Sequence, residues 1–261
     1  MIRAGSYANG FAPRDGQPRY PELWRGCVGA WAPCLGPTGL TLRDWSGVGN
    51  HGTLTNGPTW VASQGRYAMS FDGADDYCVS GSVGIPSGTS NKAVGFWMNQ
   101  RTRVSGSNIG VVELAGSGRT FTLQSALIGG TVYVCTDSIA VSMVATGNEI
   151  PDLNVWNHML FSFNGGTSSL EYWLNGIYKK SMAWSGTTAI TAIQIGRRSG
   201  VAVGYFDGLV DDVCIYNRTL LPHEIRLLAS RRGIAYEMAP RRRASSAVQF
   251  NRRRRLLLGS T

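Results

Sequence analysis

Carboxylates crowd two short stretches of this chain. "SFDGADDY" (70–77) places Asp72, Asp75 and Asp76 within five positions, and "FDGLVDD" (206–212) repeats the phrase with Asp207, Asp211 and Asp212. Groups this close can work as an acid and base across a glycosidic bond. They can ligate a hard cation such as Ca²⁺, which takes several carboxylate and carbonyl oxygens. They can also simply hold turns, since Asp tolerates unusual backbone angles and bonds its own backbone. The turn reading is local: Phe71 ends a strand, Asp72–Gly73 turns the chain, and Tyr77 opens the next strand. For catalysis the remaining acids are poorly placed. Glu113 in "VVELAG" stands alone, and Glu171 in "LEYWLN" has no carboxylate at 169 or 173. Nor is there a nucleophile–histidine arrangement. His51 falls in a turn, His223 opens a helix, and His158 sits inside a strand, where it reads as a packed sheet residue.

The elements that must position these groups are short strands. Only 16% of residues are charged and 34 are glycine, with many Val, Thr, Trp and Tyr. "KAVGFWM" (92–98), "GVVELAG" (110–116), "TVYVCT" (131–136), "WNHMLFSF" (156–163), "SLEYWLNG" (169–176), "AIQIG" (192–196) and "GLVDDVCIYN" (208–217) are apolar runs separated by Gly, Asn, Ser and Asp. This spacing predicts an all-β fold, a two-sheet antiparallel sandwich. Asn175–Gly176 predicts a two-residue hairpin turn. Pro222, Glu224 and the apolar Ile225, Leu227 and Leu228 predict a single helix from Pro222 to about residue 230, stopped near Gly233. Trp97 and Trp156 are expected inside the sandwich. Five cysteines without metal-type spacing read as free thiols, although Cys27 and Cys34 are close enough in sequence to bridge.

Charge divides the chain sharply. The net charge is +9, and residues 226–261 hold ten Arg, no Lys and one acid, so the rest is neutral. A nucleic-acid-binding body is not expected, because such domains spread basic residues over a face. Residues 1–25 and 231–261 are expected as extended arms around a domain at 26–230. The first residues lack the apolar core of a secretory signal, and no stretch has the length of a membrane span.

Eight motifs in order over about 28–229 resemble the laminin-G-like jelly-roll modules of the concanavalin A-like lectin/glucanase superfamily. They include "LRDWSGVGNHGTL" (42–54), "YAMSFDGADDYCV" (67–79), "YWLNG" (172–176), "IQIGRR" (193–198) and "FDGLVDDVCIYNRTLLPHEIRLL" (206–228). The resemblance implies a jelly roll with its first and last strands adjacent. It also implies a structural Ca²⁺ near those strands, with Asp212 as ligand and Asp72 or Asp44 as a second. Glycosidases on this scaffold carry an E-x-D-x-E-like run on one strand, which this chain lacks, so no enzyme is expected. Sugar recognition needs an exposed aromatic and a few fixed polar groups. Trp184, Tyr205, Arg197, Arg198 and Asn108, all in expected loops, are the candidates.

The Arg-rich end suits phosphate or carboxylate partners. Arg241, Arg242, Arg243, Arg252, Arg253, Arg254 and Arg255 are read as residues that anchor the chain to a capsid or other structural protein lattice, with nucleic acid as a second partner class. Phage-encoded modules of this family have the same look. The expected function is therefore a virion decoration protein, made in the host cytoplasm, whose sandwich faces outward for weak carbohydrate or host-surface binding. The resemblance further implies a homo-oligomer such as a trimer. The alternatives are a secreted or cell-surface carbohydrate-binding adhesin and a glycoside hydrolase.

Overall fold

The computed structural model of the chain describes residues 17–103, 109–116, 121–128, 131–137, 142–185, 189–200 and 204–238. The strands are β1 Cys27–Trp31, β2 Thr41–Leu42, β3 Gly52–Thr55, β4 Thr59–Ser63, β5 Arg66–Asp72, β6 Tyr77–Ser80, β7 Lys92–Gln100 and β8 Gly110–Gly116. They continue with β9 Phe121–Ile128, β10 Thr131–Asp137, β11 Ser142–Ala145, β12 Asn157–Asn164, β13 Ser169–Leu174, β14 Ile177–Ala183, β15 Ile190–Ile195 and β16 Asp207–Tyr216. One α-helix, α1, spans Pro222–Leu228, and short 3₁₀ turns occupy Pro21–Trp24, Pro33–Leu35, Gly147–Glu149 and Ile234–Tyr236.

Two antiparallel sheets face each other. The first runs β14-β13-β12-β7-β16-β5-β4, with β1 added along β16; the second runs β11-β10-β9-β8-β15-β6-β3-β2. Alternation explains the core. Phe96 and Met98 of β7, Phe161 and Phe163 of β12, Leu114 of β8, and Ile193 and Ile195 of β15 meet between the sheets. The alternate residues Leu160, Trp173, Cys214 and Tyr216 point the other way, yet they are also buried. Leu23, Ile225, Leu228 and Ile234 cover them from the helix and the 3₁₀ turns. A strand covered on both faces reads as a continuous apolar run, which is why "NHMLFSF" shows no alternation.

The Asn175–Gly176 turn forms as expected, with φ of 52° and 75°, the double positive φ of a type I′ hairpin. At the helix start Leu221 offers no capping oxygen. Glu224 does the work from inside the first turn: it accepts the Leu221 N–H at 2.8 Å and is held by Arg218 through two 2.7 Å bonds.

The tryptophans depart from expectation. Trp97 and Trp156 lie outside the sandwich, over the first sheet's outer face; Trp97 donates to the Leu228 carbonyl at 3.3 Å and Trp156 to Ser63 Oγ at 3.2 Å. Each indole N–H needs an acceptor, and the end of α1 and the end of β4 supply one. Trp31 is the indole fully enclosed between the sheets, its N–H on the Asn50 carbonyl at 2.8 Å. Leu23 and Ile234, each within a segment expected as an arm, are both buried against the body. All five cysteines are buried and free, so Cys27 and Cys34 form no bridge.

Candidate functional site

The Asp211–Asp212 pair marks a structural junction. One edge of β16 pairs with β7 throughout, while the other edge is shared. Asp207–Val210 pair with β5, and Val213–Tyr216 pair with β1. The hand-over is a bulge with Asp212 at φ 45°. Asp211 accepts the backbone N–H of Cys34 and of Asp212, each at 2.9 Å, and pairs with Arg232 at 3.3 Å. Asp212 accepts the Cys34 thiol at 3.1 Å and the Gly233 N–H. Burial pushes both carboxyls above the ordinary range; Arg232 and the backbone donors pull them back. The phrase "VDD" therefore ties the first strand, the last strand and the segment after α1 to one point.

The three expected calcium ligands are not brought together. Asp44 is buried, and its two oxygens accept Ala30 N–H, Ser46 N–H, Ser46 O–H and Asn50 N–H, each at 2.9 Å. Asp72 caps its own turn through the Ala74 N–H at 2.8 Å and the Asp75 N–H at 3.3 Å, and those bonds hold its pKa below the ordinary carboxylate value. It groups with Asp75 and Asp76, whereas Asp212 groups with Cys34 and Asp211. The Asp211–Asp212 oxygens do not fit a hard cation, because a thiol and a guanidinium already stand where oxygen ligands would be required.

Beside this junction, a small cavity between the first sheet and the Ile234–Tyr236 turn is lined by Trp97, His158, Asp212, Cys214, Leu228 and Tyr236. His158 is buried, its Nδ1 has no partner, and burial pushes its pKa down to about 3. Above pH ~6.5 both folded and unfolded states hold it neutral. As pH falls toward 3 only the unfolded state gains the proton, so stability is lost. The unfolding free energy of the wild type minus that of His158→Leu is expected to fall by about 1 kcal/mol per pH unit between pH 6 and 4. Denaturant titrations at three pH values check this, and a constant difference contradicts it.

The second sheet presents a different surface. On β8, Val112 and Leu114 face the core, so Glu113 between them faces out. Its cross-strand partners are Gln194 of β15 and Thr122 of β9, and Gln124 pairs with Gly110 one step along. An outward row should be wet, yet Glu113 and Gln124 are 0% exposed and Thr122 1%. The stretch after β15 covers Glu113. Ser199 donates its N–H and O–H to Glu113 at 2.5 and 2.6 Å. Gly110 admits this stretch: a Cβ there would stand 2.5 Å from the Arg197 carbonyl oxygen. Burial raises the Glu113 pKa, opposed by the Ser199 bonds and by Arg198 and Arg197. At the rim, the Arg197 guanidinium carbon lies 3.5 Å over the Tyr77 ring and its Nε donates to Gln194. Tyr205 bridges Arg197 through the backbone, and its ring stands 6.5 Å from Tyr77.

Of the expected sugar-binding residues, Tyr205, Arg197 and Arg198 thus gather at one rim, half-buried. Asn108 lies outside the described residues. Trp184 is corrected: it is 2% exposed, packed edge-on against Phe163 at 4.7 Å with Lys92 over both rings. The ring packs into the core between the sheets, so Trp184 offers no free face to a sugar. Lys92, whose buried amine is pushed down to about 8, was not anticipated. Arg241–Arg243 and Arg252–Arg255 fall outside the described residues.

The family profile of the concanavalin A-like lectin/glucanases superfamily matches residues 72–226, more than half of the chain. The chain belongs to this superfamily. Among solved structures, the superfamily fold here is similar to domain 4 of AbnA, an extracellular GH43 arabinanase of Geobacillus stearothermophilus, solved with arabinotriose. The TM-score is 0.64 at 16% identity, covering 78% of this chain and 98% of that domain. It is also similar to the binding domain of Paraclostridial Mosquitocidal Protein 1 (TM-score 0.60, 16% identity, 79% and 52% covered). A third likeness is to Trypanosoma rangeli sialidase (0.57, 16%, 82% and 34%). The chain spans nearly all of the arabinanase domain but about half or less of the other two. At these identities the likeness concerns the fold. No curated protein matches the sequence.

Sequence reasoning missed Glu113, Thr122, Gln124 and Gln194 as a group. A signal existed: "VVELA" and "AIQIG" each set one polar residue inside an apolar run, and "FTLQS" sets two on either side of Leu123.

Proposed function

We propose that the chain is a non-catalytic carbohydrate-binding display module. Its sandwich carries a sugar site on the second sheet, and its terminal segments attach it to a particle such as a virion. What supports the reading most is that the two ends of the described chain lie together, on the opposite side of the sandwich from the Glu113–Arg197 row. Pro18 bridges Met238 antiparallel, and the Arg19 N–H meets the Glu237 carbonyl at 2.7 Å. Trp24 locks this pair by donating to the Ala235 carbonyl at 2.7 Å. Residues 17–19 and 237–238, the two ends of the described chain, therefore lie side by side against the first sheet's covered face. The Glu113–Arg197 row lies on the opposite face of the sandwich. Residues 239–261 contain seven Arg and no acid, the chemistry for an acidic protein lattice.

Glu113 supports binding over hydrolysis. Its flanking cross-strand neighbours are Gln194 and Thr122 rather than a second carboxylate, and hydrolysis requires two. The reading needs no metal.

Deleting residues 239–261, which leaves the Met238 bridge intact, is expected to abolish incorporation into particles assembled in the producing cell while glycan binding persists. Unchanged incorporation overturns the attachment role.

A further inference from the structure

Resting on the carbohydrate reading above, we propose that the rim formed by Arg197, Arg198, Tyr77 and Tyr205 selects a sugar that carries an anionic group, a carboxylate or a sulfate. The protein itself holds the Arg197 guanidinium in place. Its carbon lies 3.5 Å from the centre of the Tyr77 ring, and its Nε donates to Gln194 Oε1. That bond uses the inner nitrogen, so among the described residues both terminal nitrogens are without an acceptor. The Arg198 guanidinium beside it has, among the described residues, no hydrogen bond and no carboxylate within 4.0 Å. The backbone that carries the pair is fixed as well. The N–H groups of Arg198 and Gly110 donate to one carbonyl, that of Gly204, at 2.9 and 3.2 Å, and Arg197 bridges Tyr205.

Elsewhere this chain gives its covered arginines an acid: Arg218 meets Glu224 at 2.7 Å and Arg232 meets Asp211 at 3.3 Å. Arg197 and Arg198 are also half-buried, yet no acid meets them. Glu113 lies beneath the same stretch, but it is 0% exposed and Ser199 engages both of its oxygens. Two neighbouring guanidinium forks then face outward, and such forks bind planar or tetrahedral oxyanions through paired, charge-assisted hydrogen bonds. The half-buried Tyr77 and Tyr205 rings, 6.5 Å apart, give the sugar ring an apolar edge to pack against.

The test is titration of the full chain over an immobilised panel of paired glycans. Galacturonate oligomers and sialylated glycans stand beside their methyl esters, and sulfated glycans beside their desulfated forms. An anionic member is expected to bind at least about ten-fold tighter than its neutral counterpart, and the pair that responds tells carboxylate from sulfate. Residues 239–261 carry seven further arginines, so variants decide where the preference arises. Arg198→Gln removes no contact with the described residues. It should melt with the wild type and lose most of the preference, while Arg198→Lys keeps the charge and part of the preference. A preference that survives in the Arg197→Gln/Arg198→Gln double variant overturns the inference. Neutral members that bind as tightly as their anionic counterparts overturn it too and leave the carbohydrate reading standing. Failure of every glycan removes both.

Discussion

Replacing Arg232 with methionine is expected to cost about 3–5 kcal/mol of stability, the usual consequence of stripping one partner from a buried ion pair. The Arg232 side chain is 5% exposed and Asp211 0%. Its guanidinium also donates to the Ser63 carbonyl and lies 4.0 Å over the Trp156 ring. Methionine retains the apolar stem. What it removes is the cation facing the buried Asp211 carboxyl and the half-buried Asp212 beside it. Both Asp211 and Asp212 already sit above the ordinary carboxyl range through burial, and both are held down in part by Arg232. Without it their folded-state pKa values rise further above the unfolded ones. A raised carboxyl favours the folded state as pH falls and loses that contribution as pH rises through its folded pKa. The deficit should therefore be smaller at pH 5 than at pH 8. Urea titrations at the two pH values measure it, and a loss below about 1 kcal/mol at pH 8 would mean that backbone donors alone hold the junction.

Gly196→Ala is expected to damage fold and site together, by about 2–4 kcal/mol. Gly196 has φ 88°, and a Cβ there would run into the Phe71 ring, which is itself fully buried. The residue is pinned on both sides: its N–H donates to the Val111 carbonyl at 2.9 Å and its carbonyl accepts the Phe206 N–H at 2.8 Å. The backbone cannot rotate away without releasing the stretch that carries Arg197 and Ser199. Gly65→Ala is the control. Its φ is 75° with nothing within 4 Å of a Cβ, so it should cost only about 1 kcal/mol, the backbone contribution. Similar losses at the two positions would show that the Phe71 contact yields easily.

Legibility followed locality. The Asn175–Gly176 turn, the span of β8 and the start of α1 depend on neighbours in sequence, and each was readable. The adjacency of the first and last strands came from family resemblance. What failed depended on what lay opposite. Trp184 follows a strand with mixed exposure, and nothing local reveals that Phe163 and Lys92 enclose it. Trp97 sits in the unbroken apolar run "VGFWM", and α1 had to be packed on the outer face before its side could be known. The polar row is assembled from three strands whose register is set across the sheet. Glu113, Thr122 and Gln194 become neighbours only once β9, β8 and β15 are paired. At Asp72 the acidic phrase makes the turn its local residues allow, but "VDD" is a bulge whose purpose appears only when Cys34 and Arg232 arrive from distant parts of the chain.

The carbohydrate reading is tested most directly by amide chemical-shift mapping with a glycan selected from an immobilised panel. The account places the shifts at Tyr77, Glu113, Gln124, Gln194, Arg197 and Tyr205, on the face opposite the Pro18–Met238 bridge, and has Arg197→Ala weaken them. Shifts confined to α1 and the Ile234–Tyr236 turn, or none with any glycan, would contradict it.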